Sequence, residues 1–202
     1  MVISLTRQDQ QQLDQEYPTL NCSLNRNVVW GTLSFACSFD RAEQELAYDD
    51  SASEYICDNY EIRIDFNRLD MFDFPKVYDD SGIIKTFAKE SSIKLEDLHI
   101  NKSDDDSCCL GIFPEYKWQG ASAYIGDKVV PFFYWQSYRR IYGKGPWQGL
   151  SHGSKGIEEA MTMPSAQTSK GCSRNKQCPC GSGLKYKKCC RERDVILKSK
   201  LP

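Results

Sequence analysis

The sequence has no long apolar run and no recognisable targeting segment. No stretch approaches the roughly 20 consecutive apolar residues that a membrane-spanning helix requires, so an integral membrane protein is not expected. The N-terminal stretch MVISLTRQDQQQ contains a very short apolar segment and no cleavage-site pattern, which argues against a secretory signal. We therefore expect a cytoplasmic protein without a membrane span.

Histidine is scarce, and several catalytic signatures are absent. His99 and His152 are the two histidines of the chain, and either could act as a general base because histidine titrates near neutral pH. There is no internal repeat, no local cysteine-protease signature and no Gly-rich nucleotide-binding run followed by a second cysteine.

Cysteine, in contrast, is abundant. In a secreted protein, ten cysteines would indicate disulfide bonds. Here six of the ten lie in two short segments, a pair at 108–109 and four between 178 and 190, and no export signal precedes them. We expect metal ligands in one segment and a reactive thiol in the other, both in a reducing compartment.

The net charge of −2 hides a strong asymmetry between the two parts of the chain. Residues 170–202 contain ten lysines and arginines against Glu192 and Asp194, for a charge of +8. The remainder carries −10, so an acidic body is joined to a basic tail. Metal-bound thiolates would partly neutralise that tail, because a cysteine ligand is deprotonated.

The first part of the chain predicts one helix and then strands. Thr6 and Asp9 form a capping pair before a polar, helix-favouring stretch that ends ahead of Pro18. Apolar residues alternate in residues 28–39 and 60–67, which predicts two strands, and a third is expected at 74–78. Residues 40–59 are acidic and irregular, and we expect a loop there.

The rest of the body predicts helices around an irregular segment. Residues 83–98 are expected to be helical in part, 99–118 to be irregular and 129–142 to form a helix with Pro131 in its first turn and Gly143 at its end. Its aromatic residues recur at helical spacing, which indicates core packing. This order predicts an α+β fold, an antiparallel meander with an N-terminal helix and late helices.

The C-terminal segment has the spacing of a metal site. Eight residues separate the pair Cys178 and Cys180 from the pair Cys189 and Cys190. Four thiolates can complete a tetrahedral zinc shell. A unit of about 20 residues cannot fold on apolar burial alone, so a structural zinc would supply the folding free energy. A reactive or disulfide-linked cluster is the alternative, and Cys172 is a spare ligand. The run RNKQCPCGSGLKYKKCC closely resembles the SecA-type C-terminal zinc motif, whose basic surface contacts partner proteins.

These features predict four segments. A main domain is expected at 1–160, a linker rich in Met, Pro, Ser, Gln and Thr at 161–173, the zinc module at 174–194 and a tail at 195–202.

The cysteine pair of the main domain follows a distinctive tripeptide. Cys109 lies eight residues after Asn101 in the segment His99-Ile100-Asn101, Leu110 follows directly, and Trp118 comes nine residues later. This spacing resembles the active-site segment of ubiquitin-conjugating enzymes, which carry His-Pro-Asn, then the catalytic cysteine eight residues after the Asn. The resemblance covers about residues 5–160 and implies the fold of ubiquitin-conjugating enzymes, with a thioester formed at Cys109. Ile100 replaces the family's proline, and Cys108 remains an alternative nucleophile.

The resemblance also implies roles for the neighbouring residues. Asn101 is expected either to stabilise the tetrahedral oxyanion through its amide or to brace the cysteine loop. His99 matches a mainly structural position, and His152 lies in a glycine-rich loop that could approach the site. The aspartates at 104–106 are expected to form a solvated loop, with help in deprotonating an incoming lysine as the alternative.

Residues 145–157, GPWQGLSHGSKGI, are similar to bacterial relatives of these enzymes that accompany cGAS-like nucleotidyltransferases in cyclic-oligonucleotide anti-phage signalling (CBASS). That resemblance implies a protein partner, the C-terminus of such a nucleotidyltransferase. A non-catalytic adaptor that docks a partner through the basic zinc module is the alternative function. Nucleic-acid binding by the basic tail, in which Tyr186 and the neighbouring lysines and arginines could contact phosphates, is less favoured because the body is acidic.

Overall fold

The computed structural model describes residues 3–43, 45–48, 50, 54–101, 105–111, 116–147, 155–156, 158–159, 173–178 and 184–199. The chain divides into two compact units, Met1–Leu110 with Trp118–Gln148, and Gly111–Lys117 with Gly149–Pro202. Among the described residues, every helix is too short or too polar to cross a bilayer. The predicted linker at 161–173 lies outside the described residues except for Ser173.

The first unit begins with the predicted helix, α1 (Arg7–Glu16). Thr6 caps it reciprocally: the Asp9 amide donates to the Thr6 hydroxyl at 3.1 Å, and the Thr6 amide donates to the Asp9 carboxylate at 2.8 Å. These bonds satisfy two backbone donors that a helix start leaves unpaired. Leu13 is fully buried, so the helix packs on the core through a narrow apolar face.

An antiparallel sheet forms the centre of the first unit. Its strands follow the order β1 (Leu20–Ser23), β2 (Val28–Asp40), β4 (Ile56–Leu69) and β5 (Pro75–Asp79), and β3 (Glu45–Ala47) pairs with the far end of β2. Alternate residues of β2 and β4 point into the core, as the sequence predicts. The fully or nearly fully buried members are Val29, Leu33, Phe35, Cys37, Tyr60, Ile62, Ile64 and Phe66.

Two elements depart from the sequence-based expectations. The predicted loop at 40–59 is wrong in part, because β3 lies within it and β4 begins at Ile56. The short strand β1 was not expected, since its four residues carry little periodicity; it pairs with β2 in the register Leu20 opposite Gly31. Both strands are defined by pairing with β2 more than by their own composition.

Helical segments follow the sheet. They are α2 (Ile83–Glu90), a 3₁₀ turn (Glu96–Leu98), and a continuous run of α3 (Ala121–Tyr124), a π-helical turn (Ile125–Val129) and α4 (Val130–Tyr142). Pro131 has no amide hydrogen and cannot continue a regular ladder, which accounts for the wide turn before it. Gly143 ends α4 at φ 73°, as predicted. The run begins eight residues earlier than the expected 129.

The second unit contains the described part of the cysteine-rich module. A bridge between Gln177 and Lys185 is followed by a 3₁₀ turn (Tyr186–Lys188) and α5 (Arg191–Ser199). The helix α5 runs through residue 194, where the sequence placed the boundary between module and tail. The observed architecture is thus mixed α+β, with an antiparallel sheet, helices and a small C-terminal module.

Gly31 makes the close contact between β1 and β2. Its φ is 133°, and a β-carbon there would lie 2.5 Å from the Thr19 carbonyl oxygen. We expect Gly31→Ala to lower the free energy of unfolding by roughly 2–4 kcal/mol, because it adds backbone strain and a collision with main-chain atoms. Chemical denaturation monitored by circular dichroism measures this.

Gly82→Ala is the matched control, since Gly82 also has a positive φ, 71°, but no atom lies within 4 Å of its added β-carbon. It should cost about 1 kcal/mol. Equal losses in the two variants would contradict the close approach at Gly31.

Candidate functional site

A short hairpin positions the cysteine pair of the first unit. Strand β6 (Ile100–Asn101) pairs with β7 (Ser107–Cys108), in the register Ile100 opposite Cys108 and Asn101 opposite Ser107. The Cys109 amide then donates to the His99 carbonyl at 2.7 Å, which extends the pairing by one residue. The tripeptide and the cysteine pair, which are separated by six residues in sequence, are therefore direct neighbours in space.

The two cysteines occupy different environments. Cys108 is 6% exposed, and burial together with the charge of Asp79 raises the pKa of its thiol well above the usual value. Cys109 is half-buried. A thiolate at Cys108 is thus strongly disfavoured, and Cys109 is the more accessible of the two.

The Asn101 amide takes part in the hairpin itself. Its Nδ2 donates to the Ser107 hydroxyl at 3.2 Å, and its main-chain carbonyl accepts from the amides of Asp105 and Asp106 at 3.3 and 3.2 Å. Asn101 therefore bonds across the hairpin to Ser107, two residues before Cys109, and holds the turn of the hairpin.

His99 connects the hairpin to the long helix. It adopts a left-handed conformation at φ 58°, and its ring meets Trp135 edge-on, with the ring centroids 5.0 Å apart. The preceding carbonyl, that of Leu98, accepts a hydrogen bond from Gln136 Nε2 at 2.7 Å. Gln136 had no predicted role, although a polar residue within the aromatic stretch VPFFYWQSY was a visible signal. His152 lies outside the described residues.

Asp105 anchors the turn of the hairpin to the sheet. Its carboxylate accepts from Tyr78 at 2.8 Å and pairs with Lys76 at 3.2 Å and Arg68 at 2.9 Å. With 11% of its side chain exposed, Asp105 is not part of a solvated loop, so that expectation is wrong for this residue. Asp106 matches it better, because it is 42% exposed and pairs with Lys85 at the surface. Asp104 lies outside the described residues.

The second candidate site is the cysteine cluster of the C-terminal module. The sulfurs of Cys178, Cys189 and Cys190 all lie within 4.8 Å of one another. The Cys178 amide donates to the Leu184 carbonyl at 2.7 Å, and the Tyr186 amide donates to the Lys176 carbonyl at 2.8 Å, which folds the two ligand segments together. Cys180 and the spare Cys172 lie outside the described residues. Three of the four predicted ligands are thus gathered in a cluster suited to a metal ion that prefers sulfur.

Beside this cluster, Tyr186 and Asp194 form a buried pair. The Tyr186 hydroxyl donates to the Asp194 carboxylate at 2.9 Å, and the two residues are 9% and 6% exposed. Tyr186 was considered as a surface contact for phosphate, and its burial contradicts that role. The exposed cations of this module are Arg174, Lys176, Lys185, Lys187, Lys188 and Arg191.

Comparison with known proteins identifies the C-terminal module. The SEC-C motif matches residues 174–192. The protein translocase subunit SecA of Dehalococcoides mccartyi is 59% identical over 32 residues, which are 16% of this chain and 3% of that protein. SecA of Geobacter metallireducens is 62% identical over 34 residues, or 16% of this chain and 4% of that protein. The similarity thus spans a small fraction of each relative's length. No solved structure matches the chain.

The Asp105 anchor generates a prediction about stability. Burial acts to raise the pKa of this carboxyl, but hydrogen bonds from Ser107, Tyr78 and Lys76 outweigh it and lower the pKa to about 2. We expect Asp105→Asn to lower the free energy of unfolding by about 1–2 kcal/mol at pH 7. Urea unfolding followed by tryptophan fluorescence measures the loss.

The pH dependence follows from the direction of the shift. The folded-state pKa lies below the value of roughly 4 for an unfolded aspartate, so the contribution is complete above about pH 5 and is lost as the pH falls through 4 towards 2. Asp106→Asn, at an exposed ion pair, serves as the control and should change stability by less than about 0.5 kcal/mol. A stability difference between Asp105→Asn and wild type that stays constant from pH 7 to pH 3 would refute the anchor.

Proposed function

We propose that this protein is a ubiquitin-conjugating-enzyme-like acyl carrier that forms a thioester at Cys109. The observation that carries the proposal is the pairing of the Cys109 main chain with His99, which places a half-buried thiol beside the His99–Asn101 segment. The sequence spacing of Cys109 from Asn101 resembles the active-site segment of ubiquitin-conjugating enzymes. The hairpin brings Cys109 next to the His99–Asn101 segment in space.

The arrangement of the first unit supports this reading. An N-terminal helix, a four-stranded antiparallel meander, a cysteine-bearing hairpin and late helices follow one another in the order that the resemblance implies. Cys109 follows β7 directly, at the end of that short strand and outside the central sheet. We propose that this order of elements is the fold of ubiquitin-conjugating enzymes.

The proposed reaction has two steps. The Cys109 thiol attacks an activated acyl carbonyl, a C–S bond forms, the leaving group departs, and the thiol proton is released to solvent or to that group. An amine or a second thiol then attacks the thioester, the C–S bond breaks, and the Cys109 thiol is restored by a proton from the acceptor. Such covalent catalysis divides one difficult acyl transfer into two easier ones. Asn101, expected to stabilise the oxyanion or to brace the loop, bonds to Ser107 within the hairpin. Neither step requires a proton transfer by His99 or His152.

The resemblance of residues 145–157 to CBASS-associated relatives supports a choice of partner. We propose that the acyl group comes from the C-terminus of a cGAS-like nucleotidyltransferase, and that its conjugation tunes that enzyme in anti-phage defence. The activating step belongs to another protein or to the partner itself.

Intact-mass spectrometry of the chain co-expressed with its partner tests the thioester. Wild-type protein should carry a hydroxylamine-sensitive adduct, Cys109→Ser a more stable ester, and Cys109→Ala none. Cys57→Ser is the matched control, because Cys57 is exposed on β4 and has no role in the proposal. An adduct that persists in Cys109→Ala, or its absence from wild type and Cys109→Ser together, would count against the acyl carrier.

A non-catalytic adaptor is the second candidate, and the surface of the C-terminal module favours it. Leu184 and Val195 are 52% and 51% exposed among the lysines and arginines of that module, a composition suited to an acidic protein partner. In that case partner capture would depend on residues 174–194 and would be unchanged in Cys109→Ala. Nucleic-acid binding remains the less favoured use of the same cations.

We further propose that the metal of the module is zinc, held by Cys178, Cys189 and Cys190 together with Cys180. Thiolate ligands suit zinc, and when bound the ion would supply the folding free energy that so short a segment lacks. Purified wild-type protein should contain about one zinc per chain by elemental analysis. Cys178→Ser should lose most of it to a chelator that leaves wild type loaded.

Cys22→Ser is the control for the metal experiment, because Cys22 lies on β1 in the other unit. It should retain zinc as wild type does. Equal retention of zinc by Cys178→Ser and wild type under competition would rule out the assignment.

A further inference from the structure

The turn formed by Leu98 and His99, which leads into the cysteine hairpin, is hydrogen-bonded to α4. Gln136 is 3% exposed, and its Nε2 donates to the Leu98 carbonyl at 2.7 Å. Leu98 itself is fully buried, so this hydrogen bond lies in the interior. A buried carbonyl that loses its donor is costly, and for that reason the bond holds the turn firmly to the helix.

The same turn is held a second time through the His99 ring. The ring lies edge-on to Trp135, which is 8% exposed, and the Arg139 guanidinium lies over Trp135 at 5.6 Å from the ring centroid. His99 is in a left-handed conformation that costs energy for a residue with a side chain, and such strain persists only where the surroundings enforce it. Trp135 and Gln136 supply that enforcement from adjacent positions of one helix.

The Leu98–His99 turn also fixes the main chain of Cys109. The His99 amide donates to Glu96, the Ile100 amide donates to Leu95, and the His99 carbonyl accepts from the Cys109 amide at 2.7 Å. A change in the direction of the His99 carbonyl would therefore be transmitted directly to the backbone of Cys109.

From this geometry we infer that Gln136 and Trp135 are positioning residues for Cys109, acting through the Leu98–His99 turn. The inference rests on the proposed function for its consequence in acyl transfer, but its structural part concerns the placement of one thiol. We call the contacts of Gln136 and Trp135 with the Leu98–His99 turn the clamp. Loss of the clamp leaves the Cys109 thiol in place and makes the loop that carries it more mobile. Small reagents should then reach Cys109 faster, while a bound acyl donor is attacked more slowly.

The test uses Gln136→Met in the full-length chain, because methionine keeps the length and volume of the side chain and removes only the amide. Iodoacetamide labelling is followed by peptide mass spectrometry, with Cys57 in the same molecules as the internal standard. We expect labelling of Cys109 relative to Cys57 to rise about fivefold, the size of one lost hydrogen bond in a local opening equilibrium. Thioester formation with the partner should fall about tenfold at saturating donor, with little change in the donor concentration for half-saturation.

Ser137→Ala is the matched control from the next position of the same helix. Ser137 is also fully buried and hydrogen-bonds to Tyr60 at 2.9 Å and Asp58 at 2.6 Å, on the side of the sheet. It should lower thermal stability without altering the Cys109-to-Cys57 labelling ratio. A merely structural role for Gln136 would give the two variants the same ratio, and that result would overturn the inference. If Gln136→Met does not fold, Trp135→Phe provides the same comparison through the His99 contact.

The two readouts separate this inference from the proposed function. A raised labelling ratio in Gln136→Met, with no thioester in wild type, would support the positioning role of Gln136 and contradict the proposed acyl carrier. An unchanged labelling ratio, with normal thioester formation, would contradict the positioning role of Gln136 and support the proposed acyl carrier.

Discussion

The hydrogen bond from the Cys109 amide to the His99 carbonyl is the contact on which the account of the main unit depends. It converts a separation of ten residues in sequence into direct adjacency, beside a pair of thiols of which Cys108 is buried and Cys109 is half-buried. One residue of slippage in the hairpin would exchange the environments of Cys108 and Cys109, because side chains alternate with a period of two. The anchors of the hairpin therefore matter as much as the thiol.

Those anchors come from two different parts of the fold. Asp105 ties the tip of the hairpin to β4 and β5 through charged partners, and Gln136 ties its base to α4 through a buried amide. The sheet and the long helix thus each hold one end of a segment that has little regular structure of its own. A site supported in this way can place a side chain accurately without belonging to a rigid element.

Sequence reasoning succeeded where local pattern controls structure. The capping pair at Thr6 and the alternation in β2 and β4 predicted elements whose burial follows the pattern, and the SEC-C spacing predicted a cluster that three described cysteines form. It failed where pairing between distant residues decides. The strand β3 exists through β2, Asp105 is removed from solvent by β5, and Tyr186 turns inward to meet Asp194. None of these contacts leaves a periodic trace in the sequence. The polar Gln136 in an aromatic helix did leave one, but only the fold shows which carbonyl it meets.

The central claim, that Cys109 is the reacting thiol of an acyl carrier, can be tested most directly with an electrophilic probe on the partner. The C-terminal carboxylate of the proposed nucleotidyltransferase partner would be replaced by a thiol-reactive group, and the site of crosslinking mapped by peptide sequencing in the mass spectrometer. The account predicts a single linkage at Cys109, abolished by prior occupation with unmodified partner. A linkage at Cys108 or Cys57, or one that unmodified partner does not block, would contradict it.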